Sequence, residues 1–114
     1  MRAVVTCLAL SVSILLSPMK VLAQMGALTG TVRDSSGAVL PGVTVEASSD
    51  VLIEKARTAV TDGSGQYRII DLRPGAYKLT FRLAGFQTLV QEGVELIGAA
   101  TLSIPAEMRV GNLQ

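Results

Sequence analysis

The run AYKLTFRL, Ala76 to Leu83, constrains the fold more than any other part of the chain. Tyr77, Leu79, Phe81 and Leu83 are apolar at every second position, and Ala76, Lys78, Thr80 and Arg82 fill the positions between. Successive side chains of a strand point to opposite faces, so this run makes one dry face and one wet face. On a helix the same four apolar residues would be scattered around the axis. The pattern recurs along the chain in short runs separated by Gly, Pro, Asp and Ser, which is the signature of half-buried strands joined by turns. In LTGTVRD, Leu28, Gly30 and Val32 share a face; in VTVEAS, Val43, Val45 and Ala47 do; RTAVT is a further short strand; and QYRII puts Tyr67 and Ile69 on one side.

Other segments are less regular. Residues 49–56, SDVLIEKA, fit either a long loop or one helical turn, and Phe86 to Leu96 fits a ragged strand or a loop. The closing run, Ala100 to Val110, alternates Leu102, Ile104, Ala106 and Met108. Pro105 has no N–H to donate, which places that strand at a sheet edge. About seven strands in about 90 residues predict an all-β fold, an antiparallel sandwich of two sheets. The expected core is Val32, Val43, Val45, Tyr67, Tyr77, Leu79 and Phe81.

The amino-terminal end reads differently. Met1 and Arg2 precede an uncharged run, Ala3 to Leu16, and small Ala23 precedes Gln24. A positive start, an apolar stretch and a small residue at the end describe a helical secretory signal peptide over residues 1–23, cut between Ala23 and Gln24. The uncharged run is shorter than the roughly 20 residues of a membrane-spanning helix, and nothing after Gln24 reads as a second span. An uncleaved anchor is the competing reading, with Lys20 as its support. Residues 24–110 then form one domain, followed by a tail at 111–114, and the expected location is outside the cytoplasm: periplasmic, associated with the outer membrane, or secreted.

Loss of Arg2 and Lys20 leaves eight basic residues against nine acidic ones, a net charge of −1. The basic residues are scattered, and the aromatics number four, so the basic patch and stacking surface of a nucleic-acid binder are lacking. The one cysteine, Cys7, lies inside the leader, so the mature chain has no disulfide and no thiol, and its core alone must hold it together.

Between the strands, DGSG, Asp62 to Gly65, reads as a hairpin turn. Gly63 and Gly65 tolerate positive φ, while Asp62 and Ser64 hydrogen-bond back to nearby amides. A calcium loop is the sharper alternative. Calcium takes roughly six to eight oxygens, usually from several carboxylates, whereas Asp62 stands alone until Asp71. The turn is preferred. Arg73-Pro74-Gly75 is a second turn, in which proline presets φ and glycine relaxes the exit.

The runs TGTVRDSSGAVLPGVTVEA and TDGSGQYRIIDLRPGAYKLTFRLAGFQT together resemble the carboxypeptidase regulatory-like domain family. The resemblance rests on Gly30, Val32, Asp34, Gly37, Pro41 and Val43, then Thr61, Asp62, Gly65 and Tyr67, then Leu72, Pro74, Gly75, Tyr77 and Leu79, and last Gly85 and Phe86 at a further turn. It covers about residues 26–108. It implies a transthyretin-like, or prealbumin-like, sandwich that is accessory to other domains and carries no catalysis. It also implies kinship with carbohydrate-binding-like folds and with the amino-terminal domains of TonB-dependent outer-membrane receptors.

The residues agree on chemistry. There is no histidine, so no imidazole base and no His-ligated zinc. Ser35, Ser36, Ser48, Ser49, Ser64 and Ser103 have no base to activate them, and Glu92 and Glu95 read as solvated. No enzyme, cofactor or metal is expected. The expected partner is another envelope protein, met at a sheet edge, with Ala100 to Val110 the candidate. Carbohydrate is the alternative ligand. Mass spectrometry of the exported protein is expected to show loss of residues 1–23 and a first residue of Gln24; a retained, membrane-embedded amino terminus would overturn the processing.

Overall fold

Alternating runs become strands in the computed structural model, which describes residues 24–111. The elements are β1 (Gly26–Asp34), β2 (Thr44–Ser48), β3 (Ala56–Val60), β4 (Gln66–Leu72), β5 (Gly75–Arg82), β6 (Leu89–Leu96), β7 (Thr101–Ser103) and β8 (Ala106–Met108). One sheet has the order β4-β1-β7, with β8 continuing along β1; the other has the order β3-β2-β5-β6. The expected leader, residues 1–23 including Cys7 and Ala23, and residues 112–114 of the expected tail lie outside the described residues. Among the described residues no helix is long and apolar enough to cross a membrane.

The dry faces of the two sheets meet. Leu28, Val32, Val43, Val45, Leu79 and Phe81 are completely shielded from solvent, and Tyr67 and Tyr77 are 3% and 2% exposed. Tyr67 and Phe81 meet edge to face across the gap, with ring centroids 5.7 Å apart and planes at 71°, the offset geometry that aromatic quadrupoles favour.

Gly30 sits directly opposite Tyr67 in the β1–β4 ladder. The Tyr67 ring lies over it, and a Cβ on Gly30 would come within 2.8 Å of that ring and clash with the Ile104 carbonyl oxygen. The Tyr67 hydroxyl donates to that same carbonyl at 2.6 Å. One side chain on β4 thus crosses β1 and fastens the link between β7 and β8.

Three features differ from the sequence expectation, each for a physical reason. The strands number eight because the closing run is split: Pro105 has no N–H, and β7 and β8 flank it. The sandwich is not wholly antiparallel, since β7 and β8 both run parallel to β1. They arrive from β6, whose end lies beside the start of β1, so they can only climb along β1 in its own direction. Finally, Asp62–Gly65 does not close a hairpin. It joins β3 to β4, which belong to different sheets, and Arg73–Gly75 likewise carries β4 into β5 of the other sheet. The hairpins are β2–β3 and β5–β6, and residues 49–55 form the loop of the first rather than a helical turn.

Two bulges adjust the alternation. Asp71 adopts φ 57°, and the β1–β4 register shifts between Gly26 and Leu28. The extra residue returns Leu72 to the core, where strict period two would have placed Asp71. Gly93, at φ 74°, does the same for β6 opposite Lys78, so that Val94 and Leu96 point inward. Phe86–Leu96 is therefore a turn end followed by a bulged edge strand.

Tyr77 and Lys78 provide a register test. Tyr77→Ala removes a buried ring and is expected to lower stability by roughly 3–5 kcal/mol, whereas exposed Lys78→Ala should cost under about 0.5 kcal/mol. Equal loss of denaturant midpoint in the two variants would refute this inward–outward assignment.

Candidate functional site

Turns at one end of the sandwich are built on the same pattern twice. Asp34 Oδ1 accepts from the Ser36 N–H at 2.8 Å, the Ser36 hydroxyl at 2.6 Å and the Ala38 N–H at 3.1 Å. Asp62 Oδ1 accepts from the Ser64 N–H at 2.9 Å, the Ser64 hydroxyl at 2.9 Å and the Gln66 N–H at 3.0 Å. Backbone bonds close both turns, from Gly37 N–H to Asp34 O and from Gly65 N–H to Asp62 O. Each carboxylate is occupied by its own turn, and among the described residues no group of His, Cys, Asp or Glu could hold a metal ion. Hydrogen bonds to the charged form hold both carboxyls below the usual range: chiefly the Ser36 hydroxyl for Asp34, and chiefly the Gln66 amide for Asp62.

The two turns are joined. Val32 N–H donates to Gly65 O at 2.8 Å, and Gly65, at φ 76°, lies so close that a Cβ would meet Val39 at 2.8 Å and the Val32 carbonyl oxygen at 2.9 Å. Thr61, buried between them, donates through its hydroxyl to Leu40 O at 2.7 Å and accepts from Val43 N–H at 2.8 Å. Gly63 and Gly85 face open solvent, and Gly85, at φ 87°, needs glycine for its backbone alone.

At the opposite end lie exposed Gln24, the Arg73–Gly75 corner and the loops 49–55 and 97–100. Pro74 is exposed in that corner, and Gly75 lies under Val51, 2.8 Å from where a Cβ would stand. The Tyr77 hydroxyl donates to Arg73 O, four residues upstream, at 2.6 Å, bracing the crossing between sheets. Arg57 donates to Glu54 at 3.0 Å and to Ile70 O, beside the β4 bulge, at 2.7 Å, which links β3 to β4 across the two sheets. Sequence reasoning named Thr61 and Leu72 only as family matches and passed over Arg57, because the bonds of Thr61 and Arg57 depend on which sheet each strand joins and the place of Leu72 depends on the bulge at Asp71. A non-glycine φ above zero at Asp71 leaves no clear trace in the sequence.

One edge and the face beside it stand out. Among the described residues β7 has β1 on one side and no strand on the other. On the outer face of the same sheet, Arg68, Thr29 and Ser103 lie side by side across β4, β1 and β7, with Gln66 and Thr31 as the next pair. They line a shallow groove of about 620 Å³. Its lining offers the hydroxyls of Thr29, Thr31 and Ser103, the Gln66 amide, the Arg68 guanidinium and the Asp62 carboxylate. All four aromatic rings are drawn into the core or against it, with Phe86 only partly covered.

A family model described as carboxypeptidase regulatory-like domain matches residues 27–109. The TonB-dependent transporter Oar of Myxococcus xanthus is 29% identical over 86 residues, which span 75% of this chain and 8% of the transporter. The chain thus corresponds to less than a tenth of that relative. Among solved structures, a type II cohesin–X-dockerin complex from Acetivibrio cellulolyticus is similar at 24% identity and a TM-score of 0.60, over 77% of this chain and 60% of the matched one. Catechol 1,2-dioxygenase from Pseudomonas arvilla is similar at 15% identity and a TM-score of 0.62, over 81% and 54%. Both likenesses show the fold alone.

The paired turns set an acid response. A carboxyl whose pKa is lowered by folding lends stability above its ordinary value and loses it as pH falls through the lowered one. The denaturant midpoint of the protein is therefore expected to drop as pH falls below the ordinary aspartate value of about 3.9. In Asp34→Asn/Asp62→Asn the midpoint should be lower at neutral pH and flatter over that fall. An unchanged slope would show that these carboxylates do not hold the turns.

Proposed function

The chain belongs to the carboxypeptidase regulatory-like domain family, and from that premise we propose that it is a non-catalytic, exported β-sandwich module serving as the amino-terminal extension of a TonB-dependent outer-membrane receptor. The observation that carries the reading is the match to the transporter Oar over 86 residues, 75% of this chain. The sandwich itself supports an accessory role. Asp34, Asp62, Thr61 and Arg57 are committed to turns and crossings, and the β7 edge lies beside a polar face. An edge strand with unpaired N–H and C=O groups can accept a strand from a partner. Thr101 and Ser103 are exposed along that edge, and Pro105 limits how far it extends. The partner expected is an extended segment of another envelope protein. Carbohydrate is the weaker alternative, since Tyr67, Tyr77 and Phe81 are core residues and offer no stacking platform.

Cell fractionation with an antibody raised against residues 24–111 tests the reading. The expected result is a single species much longer than 114 residues in the outer-membrane fraction. A free periplasmic product of 114 residues or fewer would overturn the receptor assignment. Thr101→Glu/Ser103→Glu should weaken recovery of a crosslinked envelope partner while leaving the fold intact; undiminished recovery would move the surface away from β7.

A further inference from the structure

β1 and the β7–β8 segment run side by side in the same direction. Their pairs begin at Ala27 opposite Thr101 and finish at Asp34 opposite Met108. The chain therefore comes in at one end of this ladder and leaves at the other. Tension along the chain, applied before Gly26 and beyond Met108, pulls the two strands past each other. Hydrogen bonds between strands lie across the direction of such a pull, so they must fail together rather than one after another.

The bonds that would carry this load are spread along the ladder. Ala27 N–H donates to Ala100 O at 3.1 Å near the incoming end, and Ile104 N–H donates to Thr29 O at 2.8 Å midway. The Tyr67 hydroxyl, donating to Ile104 O at 2.6 Å, ties the same point to β4. Beyond β8 the outgoing chain is strapped to the other sheet: Gln87 N–H donates to Arg109 O at 2.8 Å, and Gly111 N–H donates to Gly85 O at 2.9 Å. Load arriving from that side is shared with the β5–β6 hairpin before it reaches β8.

We propose that the sandwich withstands tension applied between its amino-terminal end and the chain beyond β8 without unfolding. The parallel pairing of its first and last strands makes it so. This goes beyond the receptor-module reading and stands or falls separately from it, because the property belongs to the strand order alone.

Single-molecule pulling tests the link in two directions on the full chain carrying Cys7→Ser. Handles at Gln24→Cys and Val110→Cys load the ladder from end to end. Handles at Ser35→Cys and Val110→Cys, both at the outgoing end, peel β8 from β1 rung by rung. Forced unfolding follows the unfolding barrier along the pulled direction, and the end-to-end rupture force is expected to exceed the peeling force at least about twofold at the same loading rate. Equal forces, or gradual end-to-end extension with no rupture, would overturn the proposal. Tyr67→Phe is expected to lower the end-to-end force and leave the peeling force unchanged; equal loss in both directions would mean that this ladder does not hold the load.

Discussion

The crossing of Tyr67 over Gly30 is the contact on which the rest of the sandwich depends. The ring reaches Ile104 only because position 30 has no side chain, and the same space admits the Ile104 carbonyl. Burial pushes the Tyr67 hydroxyl pKa upward, so it stays a neutral donor for that carbonyl. A buried phenol without a partner would be costly; here the partner is the one stretch of β7–β8 where Pro105 interrupts the ladder. The ring meanwhile meets Phe81 edge-on from the facing sheet. Strand β4, strand β1, the closing segment and the opposite sheet are therefore fixed relative to one another through one residue.

Much of this was legible in the sequence, and the limits have physical causes. Period-two alternation places Tyr77, Leu79 and Phe81 in the core, because the pleat leaves an apolar side chain only two directions. Alternation says nothing about which strands pair. DGSG has the composition of a hairpin turn, yet the same hydrogen bonds from Asp62 serve equally well for a corner that leaves one sheet for the other. Leu72 was hidden for a related reason: a single left-handed residue, Asp71, resets the phase of β4. The open surface was only partly legible. Pro105 marks the edge, whereas the polar row of Arg68, Thr29 and Ser103 exists only once β4, β1 and β7 are neighbours.

A shared fold does not settle chemistry. The same sandwich, at TM-scores of about 0.6, occurs in a cohesin–X-dockerin complex and in a catechol dioxygenase, so function is decided by the side chains it carries. In this chain the conspicuous polar groups are taken up by structural tasks. Asp34 and Asp62 shape turns, Thr61 staples the β1–β2 loop to the end of β3, and Arg57 bridges the two sheets. Beyond these, the β7 edge and the polar face beside it carry groups that these structural tasks do not use.

A sandwich has two long open seams between its sheets, and a domain of under 100 residues without a disulfide has little core with which to resist their opening. Both seams are closed here by hydrogen bonds that cross from one sheet to the other. On the β3–β4 side the bond is Arg57 to Ile70 O, made available by the bulge at Asp71. On the β6–β8 side it is the strap of residues 109–111 against 85–87, where Phe86 and Val110 form an antiparallel bridge. Among the described residues no buried side-chain polar atom is left without a partner. These bonds pin the two sheets to each other at one place along each seam. A change at either seam must then be felt at the other, because the only layer between them is the shared core around Tyr67 and Phe81.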